Sequence, residues 1–186
     1  MAQRIIKPSI SVSATASRLR RFFFVTALLL SGGSAFSADR VYQKPSEFIQ
    51  QSLGKIPATQ AIALSSAQKK AVRAILGKSY KTSSIRYWSA GSKTAFILEE
   101  IGKVEYITTG FVVSGGKVSS VKVLVYRETH GWEVGRPVFT KQFVGAKLTA
   151  GNQLNRQVRN IAGATLSVRA LTKLGRLALY LESIKK

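Results

Sequence analysis

The chain has no cysteine and a single histidine, His130, in 186 residues. The first absence excludes disulfides, thiolate catalysis, cysteine-ligated zinc and iron–sulfur clusters. The second excludes a histidine-rich metal centre. Acid is almost as scarce: Asp39 and seven glutamates stand against 29 Lys and Arg, a net charge of +21. Paired-carboxylate chemistry therefore has few candidates. Glu99 and Glu100 are adjacent in a strand-like run, so they point to opposite faces and cannot form an acid/base pair alone. Phosphate-loop, dinucleotide, metalloprotease and nucleophile-elbow patterns are missing too. Neither a catalytic residue nor a metal ligand is expected. So basic a chain suits anionic partners: acidic proteins, acidic membrane surfaces or a phosphorylated ligand.

Nothing acidic precedes Asp39, whereas Arg4, Lys7, Arg18, Arg20 and Arg21 are positive. The apolar run Phe22–Leu30 follows, then small residues ending in Ala35-Phe36-Ser37. This is the layout of a secretory signal, with cleavage expected after Ser37. The run is well short of the ~20 residues that span a bilayer. The alternative is an uncleaved anchor. Removing residues 1–37 leaves 149 residues and takes the charge from +21 to +16, enough for one core. Export makes nucleic acid an unsuitable partner. The expected location is extracytoplasmic, periplasmic in a Gram-negative source.

The mature part divides into a lead-in, 38–64, and a domain, 65–186, whose first helix and strand occupy 65–92. The lead-in reads as a short helix near Ser46–Leu53 and an irregular stretch. Ser65-Ser66-Ala67-Gln68 has capping-box spacing. Ala67, Ala71, Val72, Ile75 and Leu76 then recur at helical period up to Gly77, which can end the helix. Ile85–Trp88, Thr94–Ile101, Tyr106–Val113 and Val118–Tyr126 read as strands. Ser114-Gly115-Gly116 reads as a tight hairpin turn. Val121, Val123 and Val125 alternate along the last strand and predict one apolar face. A short helix is expected near Val138–Val144, then a basic loop over 145–160. A final helix runs from about Ala164 to Glu182. Its buried stripe is Leu166, Ala170, Leu171, Leu174, Leu177, Ala178 and Leu181, opposite Arg169, Lys173 and Arg176. The fold class is α+β, a twisted antiparallel sheet with the C-terminal helix packed on it.

Small residues mark the start of that helix, in Ile161-Ala162-Gly163-Ala164-Thr165-Leu166-Ser167. A helix start presents free amides and the positive end of the dipole, which hold phosphate. Gly163 and Ala164 allow close approach to the backbone, and Thr165 adds a hydroxyl. The plainer alternative is a loop-to-helix join with Thr165 as its cap.

Gly163-Ala164-Thr165 with Ser167, at the start of a C-terminal amphipathic helix, resembles the flavinylation motif of the FMN-binding domain family. That family includes the flavin-carrying subunits C and G of the sodium-pumping NADH:quinone reductase and of its ferredoxin-oxidising relative. The resemblance extends over residues 93–182. Thr108–Val113 with Gly116-Lys117-Val118 is similar to the family's opening hairpin. Glu128-Thr129 and Gly131 are similar to its Glu-Thr-Pro-Gly turn, with His130 for proline. Phe139, Gln142, Phe143, Gly145 and Lys147 resemble its Phe-x-x-Gln-Phe-x-Gly-Lys segment, with Ala146 inserted. The resemblance implies an electron carrier with FMN joined through its phosphate to Thr165 by an FMN transferase. It implies Gly163, Ala164, Leu166, Ser167, Glu128 and Thr129 around the cofactor, and redox partners that are acidic or membrane-bound. Trp132 either stacks on the flavin or packs in the core. The family usually has Asp six residues before the threonine and Ser or Thr three before it; here these are Arg159 and Ala162. Noncovalent FMN, with Arg159 on its phosphate, is an alternative. A cofactor-free binding module and a flavin enzyme acting on a small substrate are the other readings.

Overall fold

The computed structural model describes residues 39–185; the expected signal segment and cleavage site lie outside them. Six strands form one antiparallel sheet. They are β1 (Arg40–Val41), β2 (Gln60–Ala63), β3 (Ser84–Ala90), β4 (Lys93–Ile101), β5 (Tyr106–Ser114) and β6 (Lys117–Tyr126), in spatial order β1-β6-β5-β4-β3-β2. The helices are α1 (Pro45–Leu53), α2 (Ser66–Leu76), α3 (Pro137–Thr140) and α4 (Thr165–Ile184). The α+β class and the packing of α4 on the twisted sheet match the sequence reading.

Local signals act where they were read. The Ser65 hydroxyl accepts from the Gln68 amide, and the Gln68 side chain accepts from the Ser65 amide at 2.9 Å. Gly77 closes α2 in the left-handed conformation. Gly115 and Gly116 make the two-residue turn that pairs Ser114 with Lys117. The expected helix near Val138–Val144 is shorter: α3 tightens after one turn into a 3₁₀ segment, Lys141–Phe143. The lead-in is irregular after α1 only over 54–59, before β2 begins. It supplies both edge strands and, in α1, the cover for the second sheet face.

The main core lies between the sheet and α2 and α4. Phe96, Leu98, Ile107, Phe111, Val123 and Tyr126 meet Leu171, Leu174, Leu177 and Leu181, all fully out of solvent. On the other face Phe48 and Ile49 of α1 cover Ala95, Val112, Leu124 and Val125. Val125 departs from the expected Val121/Val123 face. The β5–β6 register jumps from Thr108↔Val125 to Thr109↔Val123, leaving Leu124 as an extra residue. Such a bulge shifts the alternation by one. Val125 therefore joins Leu124 under α1, and Tyr126 turns towards α4. The bulged Leu124 carbonyl accepts from the Tyr42 and Gln43 amides at 2.9 and 3.3 Å, so it is satisfied.

Three helix expectations also change. Leu166 is 44% exposed rather than buried, because the first turn of α4 overhangs a cavity instead of the sheet. Arg176 is half covered, since its guanidinium donates to the Asn152 carbonyl of the 145–160 loop. Lys173 is half covered as well, and Arg169 alone of the three is exposed as expected.

Candidate functional site

The segment before α4 reverses sharply. The Ala164 amide donates to the Ile161 carbonyl at 3.0 Å, and Gly163 sits at φ 78°. That left-handed conformation suits glycine. A methyl placed there would meet nothing within 4 Å, so the backbone is open to a ligand. Ala164 occupies the cap position, where a methyl can satisfy no amide, and no side chain caps the helix. The first helical bond runs from the Val168 amide to the Ala164 carbonyl at 2.9 Å. The amides of Thr165, Leu166 and Ser167 precede it and have no helical partner. Thr165 is thus the first helical residue and not the cap, and its hydroxyl accepts from the Asn160 side-chain amide at 2.9 Å.

A cavity of about 320 Å³ opens beside this turn. Residues 163–167 form one wall, and Glu128, Thr129, His130 and Lys103 the other. The turn after β6 is fixed to the helix by Tyr126. Its phenol has one proton, which goes to the His130 carbonyl, so the Ser167 hydroxyl donates to the phenol oxygen at 2.9 Å. Burial is the largest influence on that phenol and raises its pKa, with the Ser167 bond opposing. Tyr126 therefore stays a neutral donor. Thr129 and His130 are exposed at the rim, with the Thr129 hydroxyl 2.8 Å from His130 Nδ1.

Glu128 is buried, and its carboxylate works within the protein. One oxygen, Oε1, accepts from three successive amides, those of Lys103, Val104 and Glu105, the last two at 2.8 and 3.0 Å. Glu128 thereby holds the β4–β5 turn against the β6 turn, and Lys103 comes to the cavity wall. Sequence reading missed Lys103, because the contact joins residues 25 apart. A carboxylate in a turn beside an otherwise basic segment was the available signal.

Trp132 does not line this cavity. It is half-buried against the main core, with the guanidinium groups of Arg136 and Arg40 at 4.6 and 5.5 Å from its ring. Arg159 is not in the wall either; its amide donates to Gln142 Oε1 at 2.8 Å, while the Arg156 guanidinium donates to the Val144 carbonyl at 2.6 Å. The Phe139 and Phe143 rings pack edge-on at 5.8 Å in the core beside them. The Phe-x-x-Gln-Phe residues thus anchor the segment that leads to Thr165. A second cleft of about 460 Å³ reaches Thr165 from its other side and is walled by Arg169, Lys173 and Arg176.

Three free amides, Lys103 and an open backbone at Gly163 form a donor set suited to a phosphate group. Residues 102–180 match the FMN-binding domain family. Over that segment the chain is similar to FMN-binding domains, which supports association with FMN and, at the level of the family, electron transfer. The match begins at the β4–β5 turn and ends within α4. No curated protein matches the chain.

Proposed function

We propose that the mature protein is an exported electron carrier whose FMN is esterified through its phosphate to Thr165. The observation that carries this reading is the position of Thr165: first in α4, uncommitted to capping, beside three free amides and at the edge of the cavity. An exported FMN transferase would deliver FMN as an activated phosphoanhydride: Thr165 Oγ1 would bond to the FMN phosphorus as the anhydride bond to the leaving phosphate group breaks, and the hydroxyl proton would leave with that group. The free amides and Lys103 then balance the remaining phosphate charge. The flavin supplies the redox chemistry. The residues of the chain hold it and bring it within reach of acidic or membrane-bound redox partners.

Mass spectrometry of the chain exported together with an FMN transferase tests the attachment. One FMN is expected on the peptide containing Thr165, and Thr165→Ala should remove it. Arg159→Asp with Ala162→Ser, which restores the family pattern, should raise the modified fraction. FMN released by denaturant, and retained equally by Thr165→Ala, would replace the ester with noncovalent binding. No FMN in either form would favour the cofactor-free module. N-terminal sequencing of the exported protein should begin at Ala38; an intact Met1 in a soluble cytoplasmic pool would overturn export.

A further inference from the structure

A cavity of about 580 Å³, larger than the one at α4, lies on the α1 side of the sheet. It exists because two strands part. The β3–β4 register runs from Ala90↔Lys93 to Tyr87↔Phe96 and stops there. Beyond that point β3 continues against β2 as far as Ser84, while β4 continues against β5 as far as Ile101. In the gap the Glu99 amide donates to the Tyr80 hydroxyl at 3.3 Å instead of to a strand. Ile49 of α1 and Ile56 close over the opening, and Ile97 and Trp88 line it.

The polar groups here are unequal. Both Glu99 oxygens are engaged, one by the Lys81 ammonium and the other by the Thr108 hydroxyl at 2.7 Å. Arg86 is exposed in the same wall and has no carboxylate within ion-pair distance among the described residues. With Lys81 and Glu99 compensating each other, the wall carries one free positive charge beside an indole and four isoleucines. A guanidinium recognises a carboxylate through paired N–H donors. An indole face accepts a flat aromatic ring. A second negative charge would meet Glu99, and a cation would meet Arg86. We propose that this cleft binds a small aromatic monocarboxylate, ring against Trp88 and Ile97 and carboxylate on Arg86. The site is separate from Thr165 and does not depend on flavin.

Naphthoate is a suitable probe. The chain has two tryptophans, so Trp132→Phe leaves Trp88 as the sole reporter. Saturable quenching of Trp88 by naphthoate is expected, with matching calorimetric binding to the unaltered mature protein. Arg86→Gln should weaken binding about tenfold or more, the usual scale for a hydrogen bond to a charged group. Naphthamide, the neutral counterpart, should bind more weakly by a similar factor. Thr165→Ala should bind naphthoate unchanged. No saturable calorimetric binding, unchanged affinity in Arg86→Gln, equal affinity for naphthamide, or loss of binding in Thr165→Ala would each overturn the proposal.

Discussion

Two buried groups hold the wall opposite Thr165, and each acts through very few atoms. Removing the Tyr126 hydroxyl leaves both the His130 carbonyl and the Ser167 hydroxyl short of a partner. Tyr126→Phe should therefore cost about 1–3 kcal/mol in urea unfolding, the scale for orphaned buried polar groups. Glu128→Gln replaces a charged acceptor of three amides by a neutral one. Hydrogen exchange at residues 103–105 should speed up in that variant while exchange in α2 stays as it was. Titration offers a third check. Burial pushes the Tyr80 phenol from 10.0 up to about 12, against the opposing Glu99 amide bond. The unfolded phenol ionises first, so the stabilisation is complete below about pH 10 and falls as pH rises towards 12. Glu99 acts at the other end. Burial alone would raise its pKa, but the Lys81 and Thr108 bonds and nearby positive charges outweigh it and lower the value. Its contribution is present above the ordinary carboxylate range and is lost as pH falls through the lowered value. Tyr80→Phe should reduce the alkaline part of the stability profile, to which the raised Tyr126 and Tyr180 phenols also contribute, and leave the acid part in place.

At the scale of elements, α1 and α4 grip opposite faces by different means. Leu174 is wholly buried under α4, and Leu174→Ala should cost about 2–5 kcal/mol. A loss of less than about half a kcal/mol, a surface value, would mean that α4 is not packed this way. α1 depends on a close approach. A methyl on Gly110 would lie 2.5 Å from the Phe48 ring, so Gly110→Ala should cost about 1–3 kcal/mol by overpacking. In a Phe48→Ala background the same change should cost much less, a coupling that a double-mutant cycle measures. Elements with a repeated local signal were legible in the sequence: the capped α2, the Gly-Gly hairpin and the stripe of α4. The Gly163–Ser167 segment was legible because small residues precede an amphipathic run. The edge strands β1 and β2 were not, because two and four residues carry no period and form only against partners already in place. The phase slip at Leu124 was hidden for a related reason: Leu-Val-Tyr is apolar throughout, and alternation cannot reveal an extra residue there. The job of Glu128 depends on a turn distant in sequence, so the residue was found but its contacts were not.

The whole molecule carries its charge unevenly. Asp39, Glu99, Glu100 and Glu182 are in ion pairs, and Glu47 and Glu128 accept backbone amides. Most of the few acids are thus engaged locally. Arg169, Lys173 and Arg176, around the cleft beside Thr165, have no acidic partner among the described residues. On the proposed reading, association with an acidic redox partner should therefore weaken steeply with ionic strength. Surface plasmon resonance across a salt series reads this directly. Arg169→Gln with Lys173→Gln should flatten the salt dependence and leave the melting temperature nearly unchanged.

The shortness of the two sheet margins bears on how this chain survives assembly. As edge strands β1 and β2 offer a neighbouring chain only two and four residues, and on the β6 edge beyond β1 the Val118 amide and carbonyl are already paired with Ala146 and Gly145. Crowded refolding of many copies should then end in separate molecules rather than fibrils or clumps, and light scattering during dilution from urea would register the difference. For a chain proposed to be exported, and so to meet its siblings beyond the membrane, margins this short offer little to seize.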